Sequence, residues 1–146
     1  MGPTDARRRG TLGVPWNGRR SVSGVRPRVD ARSVVLLVED DDDLRTLYAE
    51  VLTTREYRVV TASTGREALA LLDGVDVIVT DFSMPDVDGV ELARAVRADP
   101  AHCCVHLVLM SAAPPEELEA AVHEVGARFL PKPFDLAHLI EAIEGR

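Results

Sequence analysis

Five short aliphatic runs, each followed by a stretch with helical spacing, constrain this chain more than any other feature. Val34–Val38 is continuously aliphatic, as expected of a strand buried on both faces of a parallel sheet. Behind it, Leu44, Leu47, Tyr48, Val51 and Leu52 recur at helical spacing and mark one face of an amphipathic helix. Arg58–Ala62 predicts a second strand. Thr64 and Glu67 then have capping-box spacing for a short helix carrying Ala68, Leu69, Leu71 and Leu72, stopped by Gly74. Residues 77–80 predict a third strand, and a loop with Pro85 and Gly89 leads to a helix ending near Asp99 and Pro100. Residues 105–110 predict a fourth strand. Pro114, Pro115, Glu116 and Glu117 open a helix that buries Leu118, Ala121, Val122 and Val125 and stops at Gly126. Residues 128–130 predict a fifth strand, after which Asp135 caps a last helix with Leu136, Leu139, Ile140 and Ile143 inward. Five βα units of this kind imply an α/β fold: a doubly wound, mostly parallel sheet with helices on both faces.

The chain has 146 residues, of which 46% are hydrophobic, enough for a core without disulfide or metal staples. Its longest apolar runs are far shorter than the roughly 20 residues of a transmembrane helix, so no membrane association is expected. The only cysteines, Cys103 and Cys104, are adjacent and lack the spacing of a disulfide framework or a structural zinc site. A reducing, cytoplasmic setting fits them. The net charge of −7 divides unevenly. Residues 1–33 carry eight arginines against two acids, hold the only tryptophan, Trp16, and show no structural period, so they read as a disordered basic extension. No apolar stretch of signal-peptide type follows those arginines. Residues 34–146 carry 9 basic and 22 acidic side chains.

Folds of this class place ligands at the carboxyl ends of the strands. There the first run ends in Glu39 and Asp40, the third in Asp81, the fourth in Ser111 and the fifth in Lys132. Each alone has an ordinary explanation. Asp40–Asp43 would suit a helix start, Asp81 and Ser111 would suit turns, and Lys132 a solvated surface position. Lys132 is, however, the only lysine beside sixteen arginines, and an ammonium is a point charge that a planar guanidinium does not reproduce. The joint occurrence at four strand ends favours one site.

Three carboxylates held together repel, and a divalent oxygen-seeking cation such as Mg2+ removes the conflict. A carboxylate such as Asp81 can then attack phosphorus and form an acyl phosphate. The cation and Lys132 would offset charge on the phosphoryl oxygens, to which Ser111 could donate a hydrogen bond.

The segments VVLLVEDDDDLRTLY, VDVIVTDFSMPDVDG, LVLMSAAP and FLPKPF resemble the receiver domain of bacterial two-component response regulators. The resemblance runs from residue 34 to about residue 145. It implies a flavodoxin-like fold with strand order 2-1-3-4-5 and five helices. It implies Asp81 as phosphoacceptor, and Mg2+ held by Glu39, Asp40, Asp81 and the backbone carbonyl of Ser83. Ser111 and Lys132 would contact the phosphoryl group, Phe129 would be an aromatic switch residue, and the bond before Pro133 would be cis. The competing, lesser reading of Phe129 is an ordinary core aromatic, since buried strands readily take Phe. The implied partners are a sensor histidine kinase or a histidine phosphotransfer protein, and an unidentified downstream protein.

With the chain stopping after the fifth helix, the expectation is a single-domain regulator without an output or DNA-binding domain, and not an enzyme. A metal-dependent aspartyl phosphatase would usually carry a second acid two residues past the nucleophile, where this chain has Ser83. A nucleotide-binding module would want a glycine-rich loop after the first strand, where this chain has Glu39–Asp43.

Overall fold

The computed structural model describes residue 29 and residues 32–145. Trp16 and nearly all of the basic extension lie outside the described residues. Two residues assigned to that extension nevertheless belong to the folded unit. Val29 packs on the core, and buried Ser33 accepts from the Arg58 backbone amide at 3.1 Å.

Strands β1 (Val34–Val38), β2 (Arg58–Ala62), β3 (Val77–Asp81), β4 (His106–Ser111) and β5 (Arg128–Pro131) alternate with five helices. The helices are α1 (Asp42–Thr54), α2 (Gly65–Leu69), α3 (Gly89–Ala98), α4 (Pro115–Val125) and α5 (Leu136–Glu144). The sheet is parallel at every pairing, in the order β2-β1-β3-β4-β5. The three central strands are almost wholly buried, whereas the edge strands β2 and β5 each have one buried residue and exposed positions besides. That contrast explains why the aliphatic runs are longest at β1, β3 and β4.

Each face has its own core. Val35, Leu37, Val79 and Met110 meet Tyr48 and Leu52 of α1 and Leu139, Ile140 and Ile143 of α5. On the other face Leu36, Val38, Ile78 and Leu107 meet Ala68 of α2, Leu92, Ala93 and Val96 of α3, and Val125 of α4.

Several local expectations shift. Leu47 (45% exposed) and Leu136 (40%) face outward, so the buried stripes of α1 and α5 are narrower than their spacing predicts. Leu69 is outward too, and Ala121 and Val122 are only half-buried. Helix α2 ends at Leu69, and Leu72 packs from the following turn. The fourth strand begins one residue later than the aliphatic run and includes Ser111. Among the described residues, no helix is long and apolar enough to cross a membrane.

Candidate phosphoacceptor and metal site

Parallel pairing brings the carboxyl ends of β1, β3, β4 and β5 to one rim. Asp81 is the last residue of β3, paired with Met110 of β4. Glu39 follows β1, and its amide donates to the Ala62 carbonyl at 3.1 Å. Lys132 follows β5, and its amide donates to the Ser111 carbonyl at 2.8 Å. The backbone ladder therefore fixes four of the side-chain origins before any side chain interacts.

The acids cluster as their positions suggest. One ligand oxygen from each of Glu39, Asp40 and Asp81 lies within 4.8 Å of the others, the only such three-group cluster among the described residues. Lys132 Nζ stands 3.3 Å from Asp81 Oδ1 and 3.7 Å from Glu39 Oε1. Glu39 is 1% exposed and Asp81 7%, whereas Asp40 opens to solvent. Two charges are thus buried against one ammonium.

Burial raises the Glu39 carboxyl above its ordinary pKa; the Asp81 charge adds to the rise, while a hydrogen bond from the Asp41 amide and the Lys132 charge oppose it. Burial likewise raises Asp81, with Lys132 the main opposing influence. For Lys132, burial favours loss of the proton, but the charges of Asp81 and Glu39 more than offset it and the pKa rises. All three values rise, which favours the charged form at Lys132 and the neutral form at the two acids, because Lys132 sees two carboxylates while each carboxylate shares one ammonium.

Glu39 Oε2 accepts from the Asp41 amide at 3.2 Å. Its Oε1 is buried with no hydrogen-bond partner among the described residues, 3.7 Å from the ammonium. A buried carboxylate oxygen of this kind calls for a ligand. Together with Asp40 and Asp81 it forms an all-oxygen donor set that suits Mg2+, so the residues present fit such an ion.

The remaining candidates occupy the surrounding loops. Ser111 is buried, its Oγ accepting from the Ala113 amide at 3.0 Å. Ser83 is exposed, two residues past Asp81 in the loop before α3. The Lys132–Pro133 peptide is cis. Phe129 sits apart from the acids: it is half-buried and lines an open groove with Glu116, Val122 and Ala127, between β5 and α4.

Three supports were not expected from the sequence. Arg45 donates to the Glu39 carbonyl at 2.8 Å and to Asp42 Oδ1 at 2.6 Å, tying α1 to the acidic turn. Asp86 has φ of 73°, and its carboxylate takes two bonds from Arg66 of α2, anchoring the loop that follows the acceptor. Gly89 lies so close that a Cβ there would be 2.6 Å from the Asp81 carbonyl oxygen. An isolated arginine or glycine carries little sequence signal, and only the tertiary fold gives these their partners.

Comparison with known proteins identifies the family and the fold. The family model described as the response regulator receiver domain matches residues 35–144. The chain belongs to that family, the receiver domains of two-component systems. The transcriptional regulatory protein CpxR of Klebsiella pneumoniae is 37% identical over 114 residues, spanning 75% of this chain and 47% of that protein. The sensor kinase CckA of Brucella abortus is 35% identical over 118 residues, spanning 77% of this chain and 12% of that protein. The chain therefore spans about half, or less, of these curated relatives. Among solved structures, the chemotaxis protein CheY4 of Vibrio cholerae superposes with a TM-score of 0.71 at 32% identity, covering 75% of this chain and 94% of that one. A response regulator receiver protein from Pseudomonas putida gives 0.71 at 29% identity, covering 81% and 100%. The CheY-like, flavodoxin-type fold in the order expected from the sequence is thus established.

Proposed function

We propose that this chain acts as a response regulator receiver whose Asp81 accepts a phosphoryl group in a Mg2+-dependent reaction and thereby switches partner binding. The observation that carries this reading is Asp81 itself. It is a buried carboxylate at a strand end, 3.3 Å from the chain's only lysine and within one cluster with Glu39 and Asp40.

The phosphoryl donor would be a phosphohistidine of a sensor histidine kinase or phosphotransfer protein. An Asp81 oxygen attacks phosphorus, the oxygen–phosphorus bond forms, and the nitrogen–phosphorus bond to the donor breaks. Glu39, Asp40, Asp81 and the Ser83 carbonyl would hold the cation. When bound, Mg2+ supplies positive charge and open coordination positions for phosphoryl oxygens. Lys132 offsets charge on those oxygens from the opposite side, and its proton is secure between two carboxylates. Ser111 turns its hydroxyl from the Ala113 amide to a phosphoryl oxygen. Phe129, on the groove between β5 and α4, reports that movement at the surface. Coupling of this kind typically amounts to about 1–3 kcal/mol, a bias between two states of one fold. The setting is read as cytoplasmic, and the downstream partner as another protein. The basic N-terminal segment is taken as an extension and residues 34–146 as the receiver, with Val29 and Ser33 packing onto the receiver. The chain turns over no substrate of its own beyond slow loss of its phosphoryl group.

Incubation with a small phosphodonor such as acetyl phosphate tests the reading. The full chain is expected to take up one phosphoryl group only when Mg2+ is present, and Asp81→Asn to take up none. Equal labelling of Asp81→Asn would overturn the assignment.

A further inference from the structure

At the opposite end of β4 from Ser111, the α3–β4 connection carries Cys103 and Cys104 side by side. We propose that this vicinal dithiol chelates one thiophilic divalent cation of about the size of zinc, at a site separate from the acidic rim and independent of the phosphoacceptor reading.

Both residues are thiols, Cys103 exposed and Cys104 half-exposed, with their Sγ atoms 3.7 Å apart. Two metal–sulfur bonds of about 2.3 Å at a tetrahedral angle place their sulfurs about 3.8 Å apart. The pair therefore already has the bite of a bidentate chelate. A disulfide is poorly served by the same positions. The intervening peptide is trans, which sets the Cα atoms about 3.8 Å apart, short of the roughly 4.4–6.8 Å that disulfides span.

The turn is built rather than loose. Arg97 donates to the Cys103 and Val105 carbonyls, each at 2.7 Å, bracketing Cys104. Asp99 caps the turn through the Ala101 amide at 2.9 Å. Both thiols line a cavity of about 30 Å³ with His102, Pro100 and Asp76, room for a single ion or water. His102 is held by Asp99 at 2.8 Å and faces Asp73 at 3.4 Å, so carboxylates engage both ring nitrogens. The two sulfurs thus carry the chelation, with water completing the coordination, and the acids beside His102 favour a cation. A structural four-ligand zinc site remains absent among the described residues.

Binding is a ligand exchange. Each Sγ releases its proton to solvent, two sulfur–metal bonds form as two waters leave the ion, and no electron moves. Affinity therefore rises with pH. The Arg97 side chain that holds this turn also donates to the Val125 carbonyl at 2.7 Å, so the site shares an anchor with the end of α4.

The full chain, reduced and in excess Mg2+ to occupy hard oxygen sites, is titrated with Co2+. One Co2+ per chain is expected, with a sulfur-to-metal charge-transfer band that a carboxylate site does not give. Cys103→Ser and Cys104→Ser should each weaken binding more than ~10-fold, at least the cost of losing an outer partner of a ligand. Absence of the band, its persistence in either single variant, or one ion per two chains would overturn the proposal.

Discussion

Asp81 is buried beside Glu39 and shares one ammonium with it, and that arrangement makes its ionisation costly. Its folded-state pKa lies above the ordinary aspartate value, chiefly through burial. The folded chain therefore binds this proton more tightly than the unfolded chain does. Below the unfolded value there is no cost; it grows as pH rises between the two values and persists above the folded one. Asp81→Asn removes the cost. Without divalent cation, that variant should unfold at higher urea concentration than the parent at neutral pH, and the gap should shrink as pH falls into the carboxylate range. A gap that stays constant with pH would contradict this account. The identities at the rim were readable because aliphatic runs announce where strands end, and Glu39, Asp40, Asp81, Ser111 and Lys132 stand just at or beyond those ends. The unpartnered Glu39 Oε1 and the two-to-one charge ratio were not, since they depend on side-chain directions that one-dimensional spacing does not carry.

At the scale of elements, the loop between Asp81 and α3 is where backbone geometry protects the site. Asp88 caps α3 by accepting from the Glu91 amide at 2.8 Å, and the Glu91 carboxylate in turn accepts from the Asp88 amide at 3.0 Å. Gly89 follows immediately, and its amide donates to the Phe82 carbonyl at 2.9 Å. A Cβ there would also lie 2.9 Å from Phe82 Cα, so backbone rather than a flexible side chain would have to move. Gly89→Ala should cost about 1–3 kcal/mol in chemical denaturation, the usual penalty of overpacking. An unchanged midpoint would show that the approach is looser than described. The Thr64–Glu67 spacing was a sound helix signal, yet only half of the box forms: Thr64 accepts from Glu67, while Glu67 reaches past it to the Ser63 amide at 2.7 Å. Leu47 and Leu136 were placed inward because helical spacing records a stripe but not how much of it the sheet covers.

Over the whole molecule, two cores clamp one sheet, and the strand order places β1, β3, β4 and β5 so that their ends share a rim. The order itself came from resemblance; alternation of elements and the right-handed crossover rule alone leave several orders open. With the framework anchored on both faces, the proposed phosphorylation would have a small set of parts to move: the Ser111 hydroxyl, Phe129 and the groove along α4. The central claim is that the charge arriving at this rim is covalently carried by Asp81. The most direct test is to phosphorylate the full chain with a small donor and Mg2+, trap the acyl phosphate by borohydride reduction, and map the modified peptide by mass spectrometry. The account predicts a single reduced aspartyl residue, at position 81; a modification at any other residue, or none, would contradict it.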